Sequence, residues 1–214
     1  MVDTWQLNRT AQVMRGEFEP TRTIRQLMEW ISTTFDTDVL NIEVDALRKG
    51  KPRLCVWVRT AEQQRAFRDS SGNYDPTKQE AVSKRYAQLR KRRWWSRREA
   101  PAFVAFCTFE PAELERIIGL VPSELEEIRL RLGDPRVWRI LPAGSRIVFF
   151  VHTEAEVESL RESDALPRWG EVFVRHVRPR DSFGLLPKLP PRFELDSKER
   201  FERDYQNNTY YYLH

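Results

Sequence analysis

The sequence predicts an α+β fold of two tandem units of one design. Two observations carry that expectation: an internal repeat, and a common order of helical and strand-like segments around each copy. Arg53 to Ser70 (RLCVWVRTAEQQRAFRDS) aligns without gaps on Arg146 to Ser163 (RIVFFVHTEAEVESLRES), with identities at Arg53/Arg146, Val58/Val151, Thr60/Thr153, Arg68/Arg161 and Ser70/Ser163. Each copy is a strand that ends at a threonine placed to N-cap a helix, and Gln63 or Glu156 three residues later completes a capping box.

The remaining elements follow from pattern and punctuation. Ile24, Leu27, Met28, Ile31 and Phe35 fall on one face at 3.6 residues per turn and predict a core-facing helix. Asn41 to Arg48, the turn Lys49-Gly-Lys-Pro52 and the repeated strand predict a hairpin; Arg136 to Leu141 and Pro142-Ala-Gly-Ser145 predict its counterpart. Asp75 as cap and Pro76 at the first position open another helix, with Val82, Tyr86 and Leu89 on one face. Before the second hairpin come helices at Pro111 to Ile118 and Glu124 to Leu132. Gly119 stops the first, Ser123 and Glu126 are read as a capping box for the second, and Gly133-Asp-Pro135 ends it. A further strand is expected after each repeated helix, at Ala102 to Phe109 and at Glu171 to Val177, and Thr4 to Arg9 is a candidate opening strand.

The unit is therefore α-β-β-α-β, twice. If Ala102 to Phe109 also opens the second unit, the order becomes that of the ferredoxin-like superfold, with antiparallel sheets. The expected organisation is a first ferredoxin-like unit at 1–101 with an inserted basic helix at 75–98, a second at 102–180, and a Pro-rich and Tyr-rich docking tail at 181–214. In size, strand order and texture Ala102 to Arg178 resembles an RNA-recognition motif, with Arg146-Ile-Val-Phe-Phe-Val151 in the place of that motif's central aromatic strand. The glycines of that strand are absent, and Phe150 in one copy and Trp57 in the other are the aromatics that match, so the resemblance extends to fold alone.

Composition narrows the function classes. The 214 residues carry 36 Lys+Arg against 32 Asp+Glu, and the charge is polarised: 20 basic and 13 acidic residues in 1–107, 16 and 19 in 108–214. The main source is Lys84 to Arg98, with eight basic residues and no acidic one. A local field of this kind steers a polyanionic partner. The longest aliphatic-aromatic run, Ile147 to Val151, is far short of the ~20 residues of a spanning helix, and the N-terminal residues do not read as a signal peptide, so no membrane is expected. Cys55 and Cys107 sit in strand-like runs as small hydrophobes, which points to a reducing, cytoplasmic setting.

Two features are candidate nucleic-acid contacts. Lys84, Arg85, Arg90, Lys91, Arg92, Arg93, Arg97 and Arg98 would meet phosphates, with Trp94 and Trp95 stacking on bases. Along the repeated strand, Leu54, Val56 and Val58 alternate with Cys55, Trp57 and Arg59, as Ile147, Phe149 and Val151 do with Val148, Phe150 and His152. The face outside the helices then offers Trp57 and Phe150 as stacking rings with Arg59 and His152 at the rim, unless the other sheet or the C-terminal tail covers it. Trp30, on the polar side of the first predicted helix, marks either a contact surface or partial burial. Three consecutive tyrosines, Tyr210 to Tyr212, predict a docking segment for this protein's own sheet or for a partner's strand edge.

No metal site is expected, because His152, His176 and His214 show no HxxxH or HxH spacing and the cysteines no CxxC. Neither G-x-S-x-G, a P-loop nor a dinucleotide fingerprint occurs, so no cofactor is expected and catalysis would need a site assembled from distant residues. The leading expectation is a non-enzymatic nucleic-acid-binding protein, RNA ahead of DNA. The alternative is an interaction, adaptor or inhibitor module for an acidic protein partner.

Overall fold

The computed structural model describes residues 4–47, 51–90 and 101–213, and the chain divides into two compact units, residues 1–113 and 114–214. The fold is mixed α+β, with a three-stranded sheet in each unit among the described residues.

In the first unit α1 (Thr4–Met14) and α2 (Arg22–Phe35) precede the hairpin β1 (Val39–Ala46) and β2 (Pro52–Val58). Then come α3 (Ala61–Arg65), α4 (Pro76–Arg90), β3 (Phe103–Thr108) and α5 (Phe109–Ile118), which runs across the boundary. The second unit continues with α6 (Pro122–Leu132), β4 (Val137–Ala143), β5 (Arg146–Val151), α7 (Glu154–Arg161), α8 (Ala165–Val177), β6 (Arg192–Ser197), α9 (Lys198–Tyr205) and α10 (Thr209–Leu213).

The sheets repeat each other in pairing and register. β1 pairs antiparallel with β2 and β4 with β5, each with an irregularity near the start, between Val39 and Asn41 and between Val137 and Arg139. The third strand lies parallel to the second, Arg53 opposite Phe103 in one sheet and Arg146 opposite Arg192 in the other. The capping boxes repeat as expected: Thr60 accepts from the Gln63 N–H and Thr153 from the Glu156 N–H, both at 3.2 Å. A further hydrogen bond recurs beyond the aligned stretch. Glu110 N–H donates to the Arg59 carbonyl at 3.0 Å, and Glu199 N–H to the His152 carbonyl at 3.3 Å, so each third strand feeds a helix locked to the end of the second strand.

Several expectations are corrected. The sheets are mixed, not antiparallel, and the second and third strands are direct neighbours, whereas a ferredoxin-like unit sets another strand between them. Thr4 to Arg9 is helix, because Leu7, Thr10 and Ala11 share a buried face. Ala102 to Phe109 supplies β3, which pairs with β2 of the first unit rather than opening the second. Glu171 to Val177 belongs to α8, where Trp169, Phe173 and Val177 recur every four residues on the core side. The third strand of the second sheet is Arg192 to Ser197, within the stretch read as a tail, and α9 and α10 follow it. The α6 capping box also shifts. The helix starts at Pro122, Glu124 accepts the Val121 N–H at 3.1 Å, and Glu126 pairs with Arg129.

Each unit has its own core on one side of its sheet. In the first, Ile24, Leu27 and Ile31 of α2 meet Ile42, Val56, Phe67, Val82 and Phe106, with the Phe67 and Phe106 rings stacked at 4.1 Å. In the second, Phe149, Trp169 and Phe173 lead the cluster, and α8 closes on β6 through Gly170. A Cβ built there would stand 2.7 Å from two ring carbons of Phe193, which is itself wedged beside Phe149 and Phe173. Gly170→Ala is therefore expected to lower stability by about 1–3 kcal/mol through overpacking, offset by up to about 1 kcal/mol of helix propensity. Urea unfolding followed by tryptophan fluorescence checks it.

Candidate nucleic-acid interface

The sheet faces away from these cores are not open platforms. In the second unit Phe150 is fully buried, meeting Phe201 of α9 at 5.3 Å and Tyr212 of α10 at 5.2 Å, and the Tyr212 hydroxyl donates to Asp196 at 2.9 Å. That buried carboxylate, together with desolvation, pushes the Tyr212 phenol up from its ordinary value, desolvation weighing more. The tyrosine segment thus docks on its own sheet through Tyr212, while Tyr210 and Tyr211 stay exposed.

In the first unit α1 covers the corresponding face. Gln6 donates to Asp45 at 2.9 Å and Asn41 to Thr10 at 3.3 Å, and Trp57 is completely buried, its indole N–H without a partner among the described residues. Trp57 and Phe150 are therefore corrected from stacking rings to core residues. The face looked apolar because it packs against helices, which alternation alone does not distinguish from a binding face. Cys55 and Cys107 lie on this covered side, and the hydrogen bond between them, with burial, pushes the Cys107 thiol up. Arg59 and His152 mark the ends of β2 and β5. Arg59 Nε binds Asp38 at 2.7 Å, and His152 is exposed, its backbone N–H held by Glu156 at 2.8 Å.

The basic run begins on α4. Asp75 caps the helix by accepting from the Thr77 and Lys78 N–H groups, and Val82, Ser83 and Tyr86 turn inward. Lys84 is exposed and bound to Glu80 at 2.7 Å. Arg85 lies over the Trp30 ring at 5.9 Å, with its Nε buried and without a hydrogen-bond partner among the described residues, so Trp30 is a packing residue that seats a cation. Arg90 is exposed on the last turn, 5.5 Å over Tyr86. Lys91, Arg92, Arg93, Trp94, Trp95, Arg97 and Arg98 lie outside the described residues.

Sequence pattern gave no sign of the cleft beside Arg90. α1 packs on one face of β1 and α2 on the other, so the connection at 15–21 passes round the outer edge of β1. Below it opens a cleft of about 380 Å³ lined by Asn41 to Val44 of that edge, by Phe18 and Ile24, and by Tyr86 and Arg90. Phe18 and Val44 stand at its lip, 37% and 39% exposed, and Arg9 stacks on Phe18 at 4.0 Å. Glu43 lies in the wall, accepting from Asn41 Nδ2 at 2.8 Å. Burial pushes its carboxyl up from the ordinary value and Asp45 adds to this, against the opposing pull of the Asn41 hydrogen bond and Arg9.

A carboxyl raised on folding contributes stability that is full below its unfolded value and is lost as pH rises through the folded one. Glu43 therefore weakens the fold at neutral pH. Glu43→Gln, which keeps an acceptor for Asn41, is expected to melt above the parent at pH 7 and level with it below pH ~4, under the ordinary glutamate value. Paired thermal melts at the two pH values decide it.

No known protein family, curated protein or solved structure matches the chain. Among the described residues, no helix is long and apolar enough to cross a membrane.

Proposed function

We propose that the protein binds single-stranded nucleic acid, RNA ahead of DNA, without catalysing a reaction on it. The observation that carries the reading is the run Lys84 to Arg98, with eight cations, two tryptophans and no carboxylate. Arginines neutralise successive phosphates, and an indole stacks on any unpaired base. Support comes from α4, which presents Lys84 and Arg90 to solvent on its way into that run. The covered sheet faces move the stacking role away from Trp57 and Phe150 and onto Trp94 and Trp95.

The test is fluorescence polarisation of labelled single-stranded RNA, single-stranded DNA and duplex DNA at low and physiological salt. Saturable binding to the single strands that falls linearly on a log–log salt plot is expected. Absence of binding at low salt would transfer the basic run to an acidic protein partner.

A further inference from the structure

We propose that the outer edge of β6 is a docking site for an extended acidic segment of a partner protein, which adds to the second sheet as a further strand beside α8. The inference goes beyond the nucleic-acid reading and uses none of its residues.

A residue in a parallel ladder turns its N–H and its carbonyl to the same side, so successive residues of an edge strand alternate between the neighbouring strand and the outside. The Arg192 N–H donates to the Ser145 carbonyl at 2.9 Å, which sets Arg192, Glu194 and Asp196 toward β5 and leaves Phe193, Leu195 and Ser197 facing outward. The Ser197 N–H is taken by the Asp196 carboxylate at 2.8 Å. Among the described residues, no strand pairs with this edge and no side chain hydrogen-bonds the outward backbone groups of Phe193 and Leu195.

The first unit closes the same edge. By register, Val104 and Phe106 of β3 stand where Phe193 and Leu195 stand in β6. The Val104 carbonyl accepts from Gln79 Nε2, and the Phe106 carbonyl accepts from Gln64 Nε2 and, at 3.1 Å, from the Tyr74 hydroxyl. In the repeat alignment Gln64 corresponds to Val157, which has no side-chain donor. The opposite edge of the second sheet is blunted by Pro142 in β4, a residue without an N–H to offer. Edges left without such protection are templates for an added strand.

Beside the open edge lies a groove of about 540 Å³, lined by Phe193, by one flank of α8 and by its C-cap Arg178. Arg175 and Arg178 are both exposed there, and neither forms an ion pair among the described residues; Glu171 is the one carboxylate in the lining. A strand laid along Phe193 and Leu195 would turn alternate side chains toward α8, where a glutamate or aspartate meets the two guanidinium groups. Main-chain hydrogen bonds then supply the affinity, and the arginines select the sign of charge. Single-stranded nucleic acid would satisfy the arginines but has no alternating peptide donors and acceptors for the strand edge.

The test measures full-length protein binding a labelled peptide of about eight residues that alternates valine and glutamate. Its controls are the same peptide with lysine for glutamate, and two acidic versions N-methylated on every valine or on every glutamate nitrogen. The acidic peptide is expected to bind and the lysine peptide not to bind. One methylated version is expected to bind about tenfold more weakly than the other, because only every second N–H faces β6. Hydrogen exchange followed by NMR should show new protection at the Phe193 and Leu195 amides, with Glu194 and Asp196, already turned to β5, unchanged. Arg175→Glu combined with Arg178→Glu, at exposed positions, is expected to reverse the preference toward lysine. Absence of acidic-peptide binding, or equal binding of the acidic and lysine peptides, would overturn the proposal. Equal binding of both methylated versions and the parent peptide would reduce the groove to a charge contact and overturn strand addition. Protection of the same two amides by single-stranded RNA and not by the peptide would assign the groove to nucleic acid, which also overturns it.

Discussion

Phe150→Ala is expected to cost the second unit about 3–5 kcal/mol, the range for emptying a buried phenylalanine site. The ring has no solvent-exposed surface and sits among Trp138, Phe201 and Tyr212, at 6.1, 5.3 and 5.2 Å. These neighbours come from β4, α9 and α10, so the cavity would open where the C-terminal helices join the sheet. For a unit of this size the loss corresponds to a fall of at least about 12 °C in melting temperature. Hydrogen exchange should show the change in residues 114–214, with the amides of β1 to β3 keeping their protection. An exposed stacking ring would behave in the opposite way, its truncation leaving the melt unchanged and weakening only RNA binding. That outcome would reinstate the sheet face as a binding platform.

The same ring shows what can be read from the chain and what cannot. The repeated strands and their caps were legible because they depend on neighbours in sequence. A threonine followed three residues later by Gln63 or Glu156 closes a capping box wherever the strand lies. What covers Phe150 depends on Phe201 and Tyr212, more than fifty residues away, and alternation cannot report that distance.

The misread of Glu171 to Val177 has a more local cause. Val172, Phe173 and Val174 are β-formers by composition, which favours strand over so short a segment. A window from Ala165 would have shown Trp169, Phe173 and Val177 at helical spacing. The true third strand, Arg192 to Ser197, follows directly on Pro190 and Pro191 and is short, so its alternation of Phe193 and Leu195 with Glu194 and Asp196 was absorbed into the proline-rich stretch. The cleft was hidden for another reason. Its walls come from the α1–α2 connection, one strand edge and the last turn of α4, which no motif links.

Replacing Arg92, Arg93, Arg97 and Arg98 together by alanine is expected to produce the largest functional loss. Each arginine that neutralises a phosphate of single-stranded nucleic acid releases about 0.7 of a counterion. Removing four should flatten the log–log salt slope by roughly three units, with affinity falling most at low salt, where counterion release contributes most. Base preference should survive, because charge contacts position the strand and do not read it. A thermal melt of the variant beside the parent separates a loss of binding from a loss of fold. A quadruple variant that retained the parental slope would place the phosphate contacts elsewhere, with Lys84, Arg85 and Arg90 of α4 as the next residues to test.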